Sequence, residues 1–165
     1  MVLIRKLASK IDRFLAHHLD SEAVTLFQVI VYLHMAGAAL YGLFVAGGIP
    51  PGLSAAVPRD DNAVETAWLI LLMLGVLAII GRGLVASRYA GNRASIYTCG
   101  AWLQFTGDLS MAWGFAWYVL ASWGNSYWGK ESIAAFGFAA YAWCAFFLVI
   151  RDIRRIMQAE RAVRG

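Results

Sequence analysis

The sequence predicts an all-α integral membrane protein: a four-helix bundle preceded by an N-terminal amphipathic helix lying at the membrane interface. Three observations predict it. Hydrophobic residues make up 61% of the 165-residue chain and charged residues 15%, against roughly 25% charge in ordinary soluble domains. Four apolar stretches are each long enough to cross a hydrocarbon core of about 30 Å as a helix. Lys and Arg, finally, are shared unevenly between the two sets of connecting segments.

Residues 1–20 form the interfacial helix. In VLIRKLASKIDRFLAHHL, Ile4, Leu7, Ile11, Phe14, Leu15 and Leu19 recur at helical spacing, with Arg5, Lys6, Lys10 and Arg13 elsewhere. The apolar face suits shallow burial among acyl chains and the cations suit anionic headgroups; capping the bundle from below is the other reading. The apolar run that follows is too long for a secretory signal and lacks a cleavage end.

The bundle occupies residues 21–156, with spans at about 23–46, 66–86, 96–123 and 132–153. Asp20, Ser21 and Glu22 offer side-chain oxygens to the free amides that open the first span. Ala38, Gly42 and Ala46 make a small-xxx-small row along it, which serves close packing inside the bundle or oligomerisation. Pro50, Pro51 and Pro58 end that span and delay the next. The second span opens near Trp68, read as an interfacial anchor, and has no ionisable residue in its core, so its work is packing and lipid contact. Residues 157–165 form a basic tail, expected to be helical.

Of the 14 Lys and Arg residues, all but Arg59 and Lys130 fall in the N-terminal segment, the Arg82–Arg93 loop or the segment after Ile150. The positive-inside rule then predicts a protein of the cytoplasmic membrane with both termini cytoplasmic. Trp117, Tyr118, Trp123, Tyr127 and Trp128 fall at the opposite interface, as an aromatic belt or a ligand cage.

The third span carries the chemistry. Asp108 stands at its middle, where a carboxylate is costly and commonly functional. His34 and Tyr141 stand near the middles of the first and fourth spans, and the three side chains form a candidate intramembrane polar cluster with Gln104, one turn before Asp108. Gln104, one turn before Asp108, shares with Tyr97, Met111, Phe115 and Tyr118 a stripe that is expected to face the interior. A second stripe, Gly100, Gly107, Gly114 and Ala121, repeats every seven residues and predicts a close helix contact, without saying which helix.

Several function classes find no residues to carry them. Cys99 and Cys144 sit in apolar segments without metal-ligand spacing and read as small core residues; one intramembrane histidine cannot supply a bis-imidazole haem. No phosphate loop, metal motif or nucleophile–base arrangement appears, and the paired His17 and His18 belong to the interfacial helix. The sequence therefore predicts no enzyme, no metal and no cofactor. Positive charge flanks the spans on one side, so the lipid bilayer, and not nucleic acid, accounts for it.

The strings IRKLASKIDRFLAHHLD, GDLS in the third span and RDIRR after the fourth, set in this layout, resemble small four-pass membrane proteins carried by actinobacterial phages. Such proteins are placed among lysis functions. The resemblance covers most of the chain as layout and implies a holin-like protein that oligomerises and permeabilises the cytoplasmic membrane. Two alternatives stay open: an accessory or immunity-type subunit that binds another membrane protein, and a small proton- or cation-coupled transporter using Asp108.

Overall fold

The computed structural model describes residues 22–48, 62–87, 94–124 and 132–164, and all its regular structure is helical. The predicted helix 1–20 lies outside the described residues, as do Pro50, Pro51, Pro58, Arg59, Arg88, Arg93, Tyr127, Trp128 and Lys130. Helix α1 is Glu22–Tyr41 and runs into a π turn, Gly42–Ala46. Helices α2, Asn62–Leu74, and α3, Val76–Ala86, form one rod interrupted at Gly75. Helix α4 is Ala94–Gly124 and α5 is Ser132–Arg164.

Three segments are long and apolar enough to cross a membrane: Val24–Ala46, Ala63–Ala86 and Ala134–Arg161. With its 31 residues α4 is about 46 Å long, ample for a crossing, but it is the helix into which the polar side chains are concentrated. It is also the centre of the packing. Helix α5 lies along one side of it and the α2–α3 rod along another, while α1 rests on α2 and α3. The outward faces carry Leu26, Leu33, Phe44, Trp113, Leu120, Phe136 and Trp143, all exposed. Such a surface is unfavourable in water and ordinary in lipid.

The contact between α3 and α4 rests on glycine. A side-chain carbon at Gly81 would run into the backbone of Gly100 and Gln104, one at Gly100 would meet the Gly81 carbonyl, and one at Gly107 would run into Ala78. Gly114 faces Leu72, and its carbonyl accepts a 2.8 Å hydrogen bond from Trp68 Nε1. The seven-residue stripe is therefore filled by the antiparallel second rod of the same chain; Ala121 beyond it is half-buried. Gly75 has a packing role too: a side-chain carbon there would collide with Met111, and the chain makes a tighter turn at this point, with Gly75 N–H donating to Leu72 and Ala78 N–H to Gly75.

Several expectations are corrected here. Trp68 is no interfacial anchor: it is buried, and its indole ties α2 to α4. On α1 the inward row is Gln28, Tyr32, Ala36, Ala39 and Gly42, not Ala38–Gly42–Ala46. Ala38 and Ala46 are exposed, and Gly42 alone of that trio packs inward, against Leu69. One residue of offset rotates a side chain by about 100°, which carries Ala38 off the face that Ala39 defines. The π turn that follows α1 ends where Gly47 takes a left-handed conformation (φ 68°), before the prolines. The basic tail is helical, as expected, and continues the fourth helix unbroken to Arg164. Cys99 and Cys144 are free and face outward, not into the core.

Candidate functional site: a buried ionic network on three helices

Three pairs of polar residues, each spaced four apart, meet inside the protein: Gln28 and Tyr32 on α1, Gln104 and Asp108 on α4, Arg151 and Arg155 on α5. Residues four apart share a helix face, so each pair presents two polar groups to the interior one above the other. Asp152, next to Arg151, completes the set. Asp108, Asp152 and Gln104 are 0% exposed and Gln28, Tyr32 and Arg151 3%.

Asp108 is the hub. Gln28 Nε2 donates to its Oδ1 at 2.5 Å, and Arg151 Nη2 donates to its Oδ2 at 3.2 Å. The same guanidinium turns its Nε to Asp152 Oδ1 at 2.9 Å, so one cation bridges two carboxylates. This is what the planar, multi-donor fork of arginine permits and a single ammonium does not. Arg155 Nη1 donates to Gln104 Oε1 at 3.1 Å, extending the network one turn. The Tyr32 phenol lies beside the Asp108 carboxylate without reaching hydrogen-bond geometry. Thr106 and Ser110 take no part; their hydroxyls bond back to Trp102 and Thr106 carbonyls within α4.

The network stands off-centre along the helices. Gln28 is about 9 Å from the start of α1, whereas Asp108 is about 21 Å into α4, so α4 begins roughly 12 Å beyond α1 at that end. Helix α5 runs about 20 Å past Arg151 at the same end. Here α4 and α5 extend side by side, joined by the Gln104–Arg155 bond and by buried Ile156. Towards the other end of the α4–α5 contact, aromatic rings replace charges: Tyr118 stacks on Phe138 at 4.1 Å between centroids, and Phe115 meets Phe138 and Tyr141 at 5.7 and 5.6 Å.

Of the sequence-predicted cluster, Asp108 and Gln104 take part, and His34 and Tyr141 do not. His34 is exposed, with Nδ1 against the Ile30 carbonyl at 2.8 Å. Two residues on from Tyr32, it points about 160° away from the network. Tyr141 stands at partial exposure among Phe27, Phe115 and Phe138, some 15 Å along α5 from Arg151. Sequence reasoning missed Gln28, Tyr32, Arg151, Asp152 and Arg155. The recurring four-residue interval between polar residues was the signal available for them.

The arrangement can hold helices together, and its cost is high. A buried ion pair is strongly destabilised when one partner is removed, by about 3–5 kcal/mol. Four buried polar atoms of the network have no hydrogen-bond partner among the described residues: Gln28 Oε1, Tyr32 Oη, Gln104 Nε2 and Asp152 Oδ2. No group of three metal-binding side chains occurs among the described residues. Comparison with protein-family models, curated proteins and solved structures finds no match to this chain.

Proposed function

We propose that the chain is a holin-like protein of the cytoplasmic membrane: a four-helix transmembrane bundle, α4 included, with both termini cytoplasmic, that permeabilises the membrane when copies assemble. The observation that supports this reading is the ionic network. Polar groups from three helices are gathered into one inward-facing cluster, which in the closed monomer acts as a latch. Parting of α1 and α5 from α4 would turn Asp108, Arg151, Asp152, Gln28 and Gln104 into a water-bearing surface. Both oxygens of Asp108 are taken by protein donors, which favours a latch over an ion-coupling site.

Self-association in this scheme uses the outer apolar faces. The Gly100–Gly107–Gly114 stripe is already occupied by the α2–α3 rod and is not free for a second copy.

The test follows culture density and membrane potential after controlled expression in a bacterial host, with and without a muralytic enzyme. Abrupt depolarisation at a reproducible time is expected, with lysis only when that enzyme is present. Asp108→Asn keeps one acceptor oxygen where Gln28 and Arg151 now use two, and removes the charge that binds the guanidinium, so depolarisation should come earlier at equal protein level. Gradual growth loss without a sharp onset, or a variant altered in amount but not in timing, would sink the proposal.

A further inference from the structure

Helix α1 turns His34 outward, one residue from the middle of the 23-residue span Val24–Ala46. In a bilayer that position lies about 15 Å from the nearer end of the span, beyond the reach of an imidazole to headgroups or water. The ring is half engaged. The Ile30 carbonyl beside Nδ1 can only accept, so Nδ1 carries the hydrogen, and Nε2 of the uncharged ring is an acceptor. No donor meets it among the described residues. Polar groups inside a membrane as a rule face protein or water, so an outward one marks a face that something covers.

The same chain offers a matching donor at the same level. Trp113 is 57% exposed on α4, and its indole N–H has no acceptor among the described residues. The Gln28–Asp108 bond ties α1 to α4, and both helices run on from it in the same direction, α1 to meet Leu69 at Gly42 and α4 to meet Trp68 at Gly114. His34 stands six residues and about 9 Å past that bond, Trp113 five residues and about 8 Å past it. One turn further the match is one of shape: α1 exposes Gly37 and Ala38, with open space over Gly37, and α4 exposes Trp117. Trp143 on α5 fits less well, since it stands about 12 Å from the level of Arg151 and its ring already meets Phe146 and Phe147.

We propose that copies of this chain join head to tail, the outer face of α1 in one copy lying against the outer face of α4 in the next. His34 Nε2 accepts from the Trp113 indole N–H of the neighbouring copy, and the neighbour's Trp117 lies over Gly37 and Ala38. Small residues let such a ring come close to the helix, and one hydrogen bond replaces two unmet polar groups in hydrocarbon. The two faces look out on opposite sides of the molecule. His34 points about 160° from Tyr32, which faces Asp108 on α4, and Trp113 about 140° from Asp108, which faces α1. Each joined copy therefore keeps one face free, and the contact repeats into a ring or a row instead of closing as a pair. Two-fold pairing of α1 with α1 would set two acceptors against each other at one level. The inference rests on the proposed function for α4 as a membrane span and for assembly of copies, but it does not need a lesion.

The test places cysteines at Ile30 and Leu109, both exposed one turn before His34 and Trp113, in the full chain freed of its own thiols by Cys99→Ala and Cys144→Ala. Membranes of expressing cells are treated with a short thiol-reactive cross-linker. Ile30→Cys with Leu109→Cys should give a ladder of dimers, trimers and longer species, and each substitution alone only monomers. Dimers from Ile30→Cys alone, the mark of a two-fold contact, or no ladder from the pair, overturn the proposal. A second measurement follows energy transfer between labelled copies in liposomes as lipid is added. Trp113→Phe keeps the ring and loses the N–H, so association should weaken about three- to tenfold, as one hydrogen bond between membrane helices contributes. His34→Leu should do the same, and both together no more than either alone. Unchanged association, or losses that multiply, would mean that the two groups do not meet. A ladder in cells that do not depolarise keeps the contact and removes the lesion; depolarisation without a ladder removes the contact.

Discussion

The two sides of α4 hold their neighbours by opposite means. Towards α3 the contact is made by leaving side chains out: Gly81, Gly100 and Gly107 let two backbones approach until only dispersion is left to gain. Towards α1 and α5 it is made by long polar side chains reaching across the gap, Gln28 and Arg151 to Asp108 and Arg155 to Gln104. In lipid, burying apolar surface gives little net drive, so helices associate through packing or through polar contacts. This chain uses one on each side of a single helix. The glycine side has no second arrangement to move to, whereas the polar side could exchange its partners for water. On the proposed function, that difference makes α3–α4 the fixed half of the molecule and α1 and α5 the half that parts.

The largest effect is expected from Arg151→Leu. It strips the shared cation from two buried carboxylates, and leaving a buried charge unpaired costs about 3–5 kcal/mol. The detergent-solubilised protein should lose its monodisperse elution at a much lower temperature than the wild type. Arg151→Lys should fall between, because an ammonium does not match both carboxylates with a planar fork. A wild-type melting temperature for Arg151→Leu would mean that the network bears no load.

The two sides also differ in how far the sequence discloses them. The glycine side is legible because its period is strict: Gly100, Gly107 and Gly114 by their spacing alone mark a close helix contact. What they do not name is the neighbour, since a groove records the closeness of the opposing helix and not its identity. The polar side is half legible. Asp108 and Gln104 stand out in an apolar span, but Arg151 falls among the cations that follow the fourth span, where positive-inside counting accounts for it. Its side chain is long enough to turn either to solvent or into the protein, and sequence does not tell which way it turns. His34 and Tyr141 match Asp108 only in their place along the spans as the sequence lays them out. Azimuth decides against His34 and height against Tyr141.

A smaller effect is expected on the fixed side. Gly81→Ala places a methyl against the backbone of Gly100 and Gln104, neither of which can swing aside. The rods must separate, and over-packing of this kind costs typically about 1–3 kcal/mol. Its signature should differ from that of Arg151→Leu. Separation at Gly81 lifts the whole rod, so cross-linking between cysteines placed across α3 and α4 should fall, while the depolarisation time should shift less than with the network variants. Unchanged thermal stability would show that the backbones are not as close as the packing requires.

The smallest effect should have the opposite sign and comes from two residues away. A methyl at Gly83 meets nothing within 4 Å, and the residue is exposed on the outer face of α3. Glycine in a helix interior is less favourable than alanine by up to about 1 kcal/mol, because the unfolded chain has more freedom to lose. Gly83→Ala should therefore leave stability unchanged or raise it slightly, in the same thermal assay where Gly81→Ala lowers it. The pair controls for helix propensity, since both substitutions are the same chemical change in the same helix. If both variants fell together, the helix itself would be responsible and not its contact with α4. If they diverge, the cost at Gly81 measures how closely the fixed half of the molecule is packed.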